Sequence, residues 1–187
     1  KLELALEEER YEKALEAFRQ TIIHQYEEPQ LPEYMAQLYV RLSITAPEVL
    51  PTLDRVLDNH RNDRAFLKTY CQACQEARRY DEQSQQVATW LLEQDPASPQ
   101  AHVILATRLL QSGQNKQAML HAQQVLQVSP NDSVGLRLLG GCYAAERRLD
   151  ATAMQIFAKA LESNPQAPDI LLAVSHGYIQ DQRDDSD

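Results

Sequence analysis

A period of about 35 residues constrains this chain more than any other feature. Pro96, Pro130 and Pro165 each close an apolar helical run, 34 and 35 residues apart, in the contexts Gln-Asp-Pro, Val-Ser-Pro and Ser-Asn-Pro. Self-similarity at that spacing is the mark of a repeat array, in which each unit is one supersecondary element stacked on the next. A chain with one closed core has no reason to return to the same turn at a fixed interval.

Two ladders of side chains carry the register further than the prolines do. Ala14, Val49, Ser84, Ala118 and Ala153 are separated by 35, 35, 34 and 35 residues. Four residues on stand Phe18, Leu53, Ala88, Ala122 and Phe157, and eight on stand Ile22, Leu57, Leu92, Leu126 and Leu161. Offsets of four and eight place these groups on one helical face. The alternate helices carry small residues at Ala36, Cys71, Ala106, Gly140 and Ser175. Each is preceded by a large one: Met35, Tyr70, Leu105, Leu139 and Val174. Three residues after the small position come Tyr39, Cys74, Leu109, Tyr143 and Tyr178. A small residue lets two helices approach, and the large neighbours fill the space beside it. One helix pair cannot bury its own apolar face, so pairs must stack.

Punctuation agrees with this register. Ser98-Pro99 reads as an N-cap followed by a first-turn proline, and Asp63 and Asp132 read as caps. Pro32, Pro47 and Pro168 mark helix starts. Helices are expected near 2–8, 10–26, 32–43, 47–60, 64–78, 81–94, 99–112, 115–128, 133–146, 150–163 and 168–181. Pro51 conflicts with a helix begun at Pro47, so that helix either starts late or bends there.

At this point the sequence resembles the tetratricopeptide repeat (TPR) family over essentially its whole length. The family pattern of small, aromatic, Ala, aromatic, Ala and Pro is matched best by Gly140, Tyr143, Ala153, Phe157, Ala160 and Pro165, with one extra residue in the turn around Glu146–Leu149. Tyr11-Glu-Lys-Ala14-Leu-Glu-Ala-Phe18 is another close match. The second repeat departs, with Val49 at the Ala position and Arg61 at the Pro position. The resemblance implies an all-α, superhelical solenoid of stacked antiparallel helix pairs. Its expected repeats are a partial one at 1–28, then 29–63, 64–98, 99–132 and 133–167, and a partial one at 168–187. Both ends fall inside repeats, so residues 1–187 are expected to be a single solenoid excerpted from a longer protein.

The resemblance also implies a role, that of holding a peptide or helix of another protein on the concave face and helping to assemble a larger complex. First helices line that face in the family. Carried over by register, the residues that would meet a partner are Gln37, Arg41, Lys68, Gln72, Gln75, Thr107, Leu110, Gln111, Arg137 and His176. Beside them in the same register stand Glu33, Val40, Glu76, Val103 and Leu172. This face is polar towards the N-terminus and apolar towards the C-terminus, where it meets either a partner or the parent protein's own further repeats. Members that clamp the acidic C-terminus of chaperones use Asn, Asn, Lys and Arg in the places where this chain has Gln72, Ile104, Val134 and Leu138 after Lys68. That specialised resemblance fails. Two other settings remain: a repeat arm attached to a catalytic domain such as a glycosyltransferase, or a structural spacer that self-associates.

Charge and chemistry narrow the field. A net charge of −9 repels phosphate backbones and anionic lipid, which argues against nucleic acid, the ligand of the pentatricopeptide repeats that share this period. No apolar stretch reaches the ~18–20 residues of a membrane span. Three cysteines lack the spacing of a secreted framework and fit a reducing, cytoplasm-like compartment. Cys71-x-x-Cys74 falls on the packing ladder in mid-helix, not at a helix N-terminus, so it reads as packing. His24, His60, His102, His121 and His176 are scattered, and His102 takes a slot filled elsewhere by Leu67, Leu136 and Leu171. No nucleophile motif, metal-ligand set or phosphate loop is present, so neither an enzyme nor a cofactor is expected. Trp90, the one tryptophan, is either a seam residue or a surface anchor, depending on how the turn at Arg79 and Tyr80 sets the register.

Overall fold

The structure is a computed structural model; it describes Lys13, Glu16, residues 30–168 and residues 170–175. The expected helices at 2–8 and 10–26, with the ladder residues Ala14, Phe18 and Ile22, lie outside those residues apart from Lys13 and Glu16, as do His24, His176 and Tyr178. The described residues form helices and turns without any strand. The chain divides into two compact units, Lys1–Asp95 and Pro96–Asp187.

In the first unit α1 spans Leu31–Arg41, α2 Leu50–Val56, α3 Arg64–Glu76 and α4 Glu82–Gln94. A 3-10 turn at Pro47–Val49 precedes α2, and another at Leu57–His60 follows it. The conflict at Pro51 is thereby resolved. Regular helix begins late, at Leu50, which puts the proline in the first turn, where its missing N–H costs nothing. Within this unit α1 packs on α2 and α3, and α3 packs on α4.

In the second unit α5 spans Pro99–Gln111, α6 Asn115–Val128, α7 Ser133–Ala145 and α8 Ala151–Ser163, and residues 170–175 are helical. Each helix from α5 to α8 packs on the next, and α5 also packs on α7. That alternation, neighbour and next-but-one, is what stacked helix pairs require.

The ladders are the core. Ala36, Cys71, Ala106 and Gly140 are buried, as are Val49, Ser84, Ala118 and Ala153, and Leu53, Ala88, Ala122 and Phe157. Leu57 is buried too, whereas Leu92, Leu126 and Leu161 are half-buried. The register fades at the far end, where Ser175 and Leu171 are exposed rather than packed. Gly140 is required by close approach. A Cβ there would lie 3.1 Å from Ile170 Cδ1 and 3.6 Å from Phe157 Cδ1.

The turns repeat as strictly as the core does. Left-handed backbone occurs at Ser43, Arg78, Gly113 and Arg147, at φ of 52°, 52°, 76° and 52°. At each, the following residue reaches back: Ile44 N–H to Tyr39 C=O, Arg79 to Cys74, Gln114 to Leu109 and Arg148 to Tyr143, at 2.8–2.9 Å. This is the Schellman closure, which satisfies the last carbonyls of the first helix. Four helices, α3, α4, α7 and α8, open on an aspartate. Asp63 accepts from Ala65 and Phe66, Asp81 from Ser84, Asp132 from Gly135 and Asp150 from Ala153. Ser98 stands at the N-cap of α5, yet its hydroxyl lies 3.3 Å from Gln100 Oε1 and does not cap the helix.

Candidate protein-binding face

In the first unit packing consumes one stripe of each first helix and leaves the other to solvent, whereas α5 is buried from Ala101 to Ala106 and α7 from Gly135 to Tyr143 except at Arg137. On α1, Met35, Ala36, Leu38 and Tyr39 are buried, while Gln37 and Arg41 are exposed. On α3, Phe66, Leu67, Tyr70, Cys71 and Cys74 are buried, Lys68 and Gln72 are exposed, and Gln75 is half-buried. In the second unit Gln111 and Arg137 are exposed, whereas Thr107 and Leu110 are half-buried. Val103, in the same register, is buried and Leu172 is exposed. His176 lies outside the described residues.

A cleft of about 430 Å3 opens in the first unit between α1 and the start of α3. Its walls are Gln37, Val40 and Arg41 on one side and His60, Asp63 and Phe66 on the other. Three of these, Gln37, Val40 and Arg41, are marked by the register. His60 is not, because its place is set by chain geometry. Its Nε2–H donates to Glu33 at 2.7 Å, its Nδ1 lies 3.4 Å from Asp63, and its ring stacks on Phe66 with centroids 4.4 Å apart. Burial works to raise the Glu33 carboxyl, but the His60 imidazole outweighs it and leaves the group below its ordinary range.

Two acidic residues in the register are thus engaged internally. Glu33 takes the His60 hydrogen bond and a 3.3 Å bond from Gln37, and Glu76 accepts from the Thr45 hydroxyl. In the second unit Glu146 accepts from Asn115 at 2.9 Å in the corresponding place. These two contacts, each between residues 31 apart, stitch one turn to the next.

A polar network behind the face fixes the helix pair α3–α4. Arg79 donates to both oxygens of Asp54 at 3.0 and 2.7 Å, to Asp81 at 2.7 Å and to Gln83 at 2.7 Å, and the fully buried Tyr70 donates its hydroxyl to Asp54. Burial, reinforced by Asp54, pushes the Tyr70 phenol up. Burial also works to raise the Asp81 carboxyl, but Arg79 and the Ser84 amide hold it down. Arg148 repeats the arrangement in the second unit, bonding Asp150 at 2.9 and 2.7 Å and lying 4.4 Å over the Tyr143 ring.

The other candidates for chemistry are absorbed by packing. Cys71, Cys74 and Cys142 are buried thiols. Burial pushes Cys74 up to about 12 and Cys142 to about 11, which leaves them poor nucleophiles at neutral pH. His102 is buried in its leucine slot, but against His121, a pairing the sequence did not disclose. Trp90 is half-buried, with the Arg61 guanidinium 5.0 Å over its ring. Arg61 therefore replaces the expected turn proline with a cation–π contact.

No family model matches the chain, and no curated protein matches it. Solved structures do. The chain is similar to helical-repeat proteins of the TPR class. One is a thermophilic TPR protein of Thermus thermophilus, at 19% identity and a TM-score of 0.51, covering 95% of each chain. Another is the MamA RS-1 ArsTM double mutant, at 21% identity and a TM-score of 0.54, covering 87% of this chain and 99% of that one. What is shared is the fold: this chain has a TPR-like, all-helical repeat architecture. No helix among its described residues is long and apolar enough to cross a membrane.

Proposed function

We propose that the chain is a protein-interaction module that receives an extended peptide or a helix of a partner on its first-helix faces. In the first unit the receiving residues are Gln37 and Arg41 on α1 and Lys68, Gln72 and Gln75 on α3. In the second they are Thr107, Leu110 and Gln111 on α5 and Arg137 on α7, with His176 beyond them in the same register. The observation that carries this reading is the cleft beside α1, which has a buried aromatic floor at Phe66 and a polar rim at Gln37 and Arg41. A floor of that kind suits one apolar side chain of a ligand, and the rim suits its backbone.

Peptide-display selection on the chain, followed by calorimetric titration of the enriched peptides, tests the reading. Arg41→Glu and Gln72→Glu are expected to weaken binding by about tenfold or more, equivalent to ~1.4 kcal/mol. Gln117→Glu, on the exposed side of a second helix, should leave affinity unchanged. Binding indifferent to Arg41 and Gln72 would remove the face from consideration.

A further inference from the structure

His102 and His121 share no local motif, yet the fold brings their rings together, with centroids 5.2 Å apart. His102 sits on α5 and His121 on α6, the two helices of one repeat. Their Nδ1 atoms are 2.9 Å apart, and His102 Nε2 is 3.0 Å from the Pro96 carbonyl. That carbonyl can only accept, so the His102 proton is on Nε2. His102 Nδ1 is then the acceptor between the rings, and the proton shared there belongs to His121 Nδ1. The two tautomers are thereby fixed, and each ring holds the other.

We infer that this pair is an acid-sensitive clasp, which fastens α5 to α6 at neutral pH and loosens as the medium acidifies. The first added proton has only His121 Nε2 to go to. It places an imidazolium on a half-buried ring against its neighbour, while the bond between the rings survives. A second proton can go only to His102 Nδ1, and it turns two partners into two opposed donors. The bond is then lost, and with it the restraint on α5. Helices α5 and α6 each pack on α7, so the other charged and titratable groups that these helices carry can be named. They are Arg108 on α5, Lys116 on α6, and Arg137, Cys142 and Tyr143 on α7, with Asp132 at its cap bonded to the Gly135 amide. None of the segment Pro96–Ser98 is ionisable. Burial first, and His102 second, hold the His121 imidazole below its ordinary range.

The sign follows from linkage. Well above the ordinary imidazole value of about 6.5, neither the folded pair nor the unfolded chain binds the proton, and stability is flat. Below it the unfolded chain takes up protons that the folded pair resists, so stability falls with pH until the folded pair titrates too. The same slots elsewhere hold Leu67 and Leu136 at the His102 position, and Thr52, Val87 and Ile156 at the His121 position. A histidine at both places in one repeat is therefore a local departure from a pattern that packs without it.

Chemical denaturation of the chain between pH 7.5 and 5.5 tests the clasp against two variants, His102→Leu and the double variant His102→Leu/His121→Val. The folding equilibrium constant of the native chain should fall by up to about tenfold per pH unit for each excluded proton. The double variant should lose that component of the slope while keeping whatever His60 and the other histidines contribute. Imidazole nitrogen NMR at pH 7.5 supplies a readout independent of folding energy, and should show His102 protonated at Nε2 and His121 at Nδ1. Identical pH slopes in the native chain and the double variant would overturn the proposal, as would a His121 ring that titrates at or above about pH 6.5.

Discussion

At the scale of single residues, the turns hold the most testable chemistry. Among the described residues four positions take left-handed backbone, and one of them, Gly113, is glycine. A Cβ at Gly113 would meet nothing within 4 Å, so Gly113→Ala isolates the backbone cost. It should lower stability by about 1 kcal/mol in urea denaturation. Arg147→Gly should move the other way, by ~0.5–1 kcal/mol, because its strain is relieved and its side chain is exposed. If both substitutions lowered stability equally, the left-handed assignment at Arg147 would be wrong. The aspartate caps make a second case. Asp150→Ala removes the acceptor for the Ala153 amide and should lower the melting temperature. Asp81 and Asp150 are both held below the ordinary carboxylate range, so their contribution is complete above about pH 4. It is lost as pH falls through the lowered values.

At the scale of helices, the small positions decide which pairs can close. Ala118 is fully buried, and Gly140 faces Ile170 and Phe157. Ala118→Glu buries an unpaired charge, and Gly140→Leu overfills a close contact. Each should cost ~1–3 kcal/mol or more, while exposed Gln117→Glu changes little. Equal melting temperatures for the three variants would mean that the register is misplaced. Trp90 gives an independent reading of α4. Half-buried beneath Arg61, it should emit at an intermediate wavelength and be partly quenched by acrylamide, and Trp90→Ala should cost ~1–3 kcal/mol, below the ~3–5 kcal/mol of a fully buried ring. Both packing ladders and Asp63 and Asp132 were legible in the sequence, because periodic burial and capping leave local patterns. The His102–His121 and His60–Glu33 contacts were not, since each joins residues 19 or 27 apart whose meeting depends on how helices pack. Asp81 and Asp150 were visible beside Arg79 and Arg148, but their capping emerges only with the Schellman turns that set the next helix.

At the scale of the whole molecule, the fold and the proposed role stand on different supports. The repeat period, the recurring turns and the two similar solved structures all lead to a TPR-like architecture. The proposed binding face rests on what that architecture leaves over: polar residues on first helices that the packing ladders do not require. Glu33 and Glu76 show how far register alone can be trusted. It placed them beside the face, but His60 and Thr45 have already engaged them. Site-specific photocrosslinking to a display-selected peptide tests the central claim most directly, with the crosslinking residue placed in turn at Gln37, Gln72, Gln85 and Gln117. First-helix positions Gln37 and Gln72 should capture the peptide, and the exposed second-helix positions Gln85 and Gln117 should not. Capture at Gln85 or Gln117, with none at Gln37 and Gln72, would contradict a first-helix binding face.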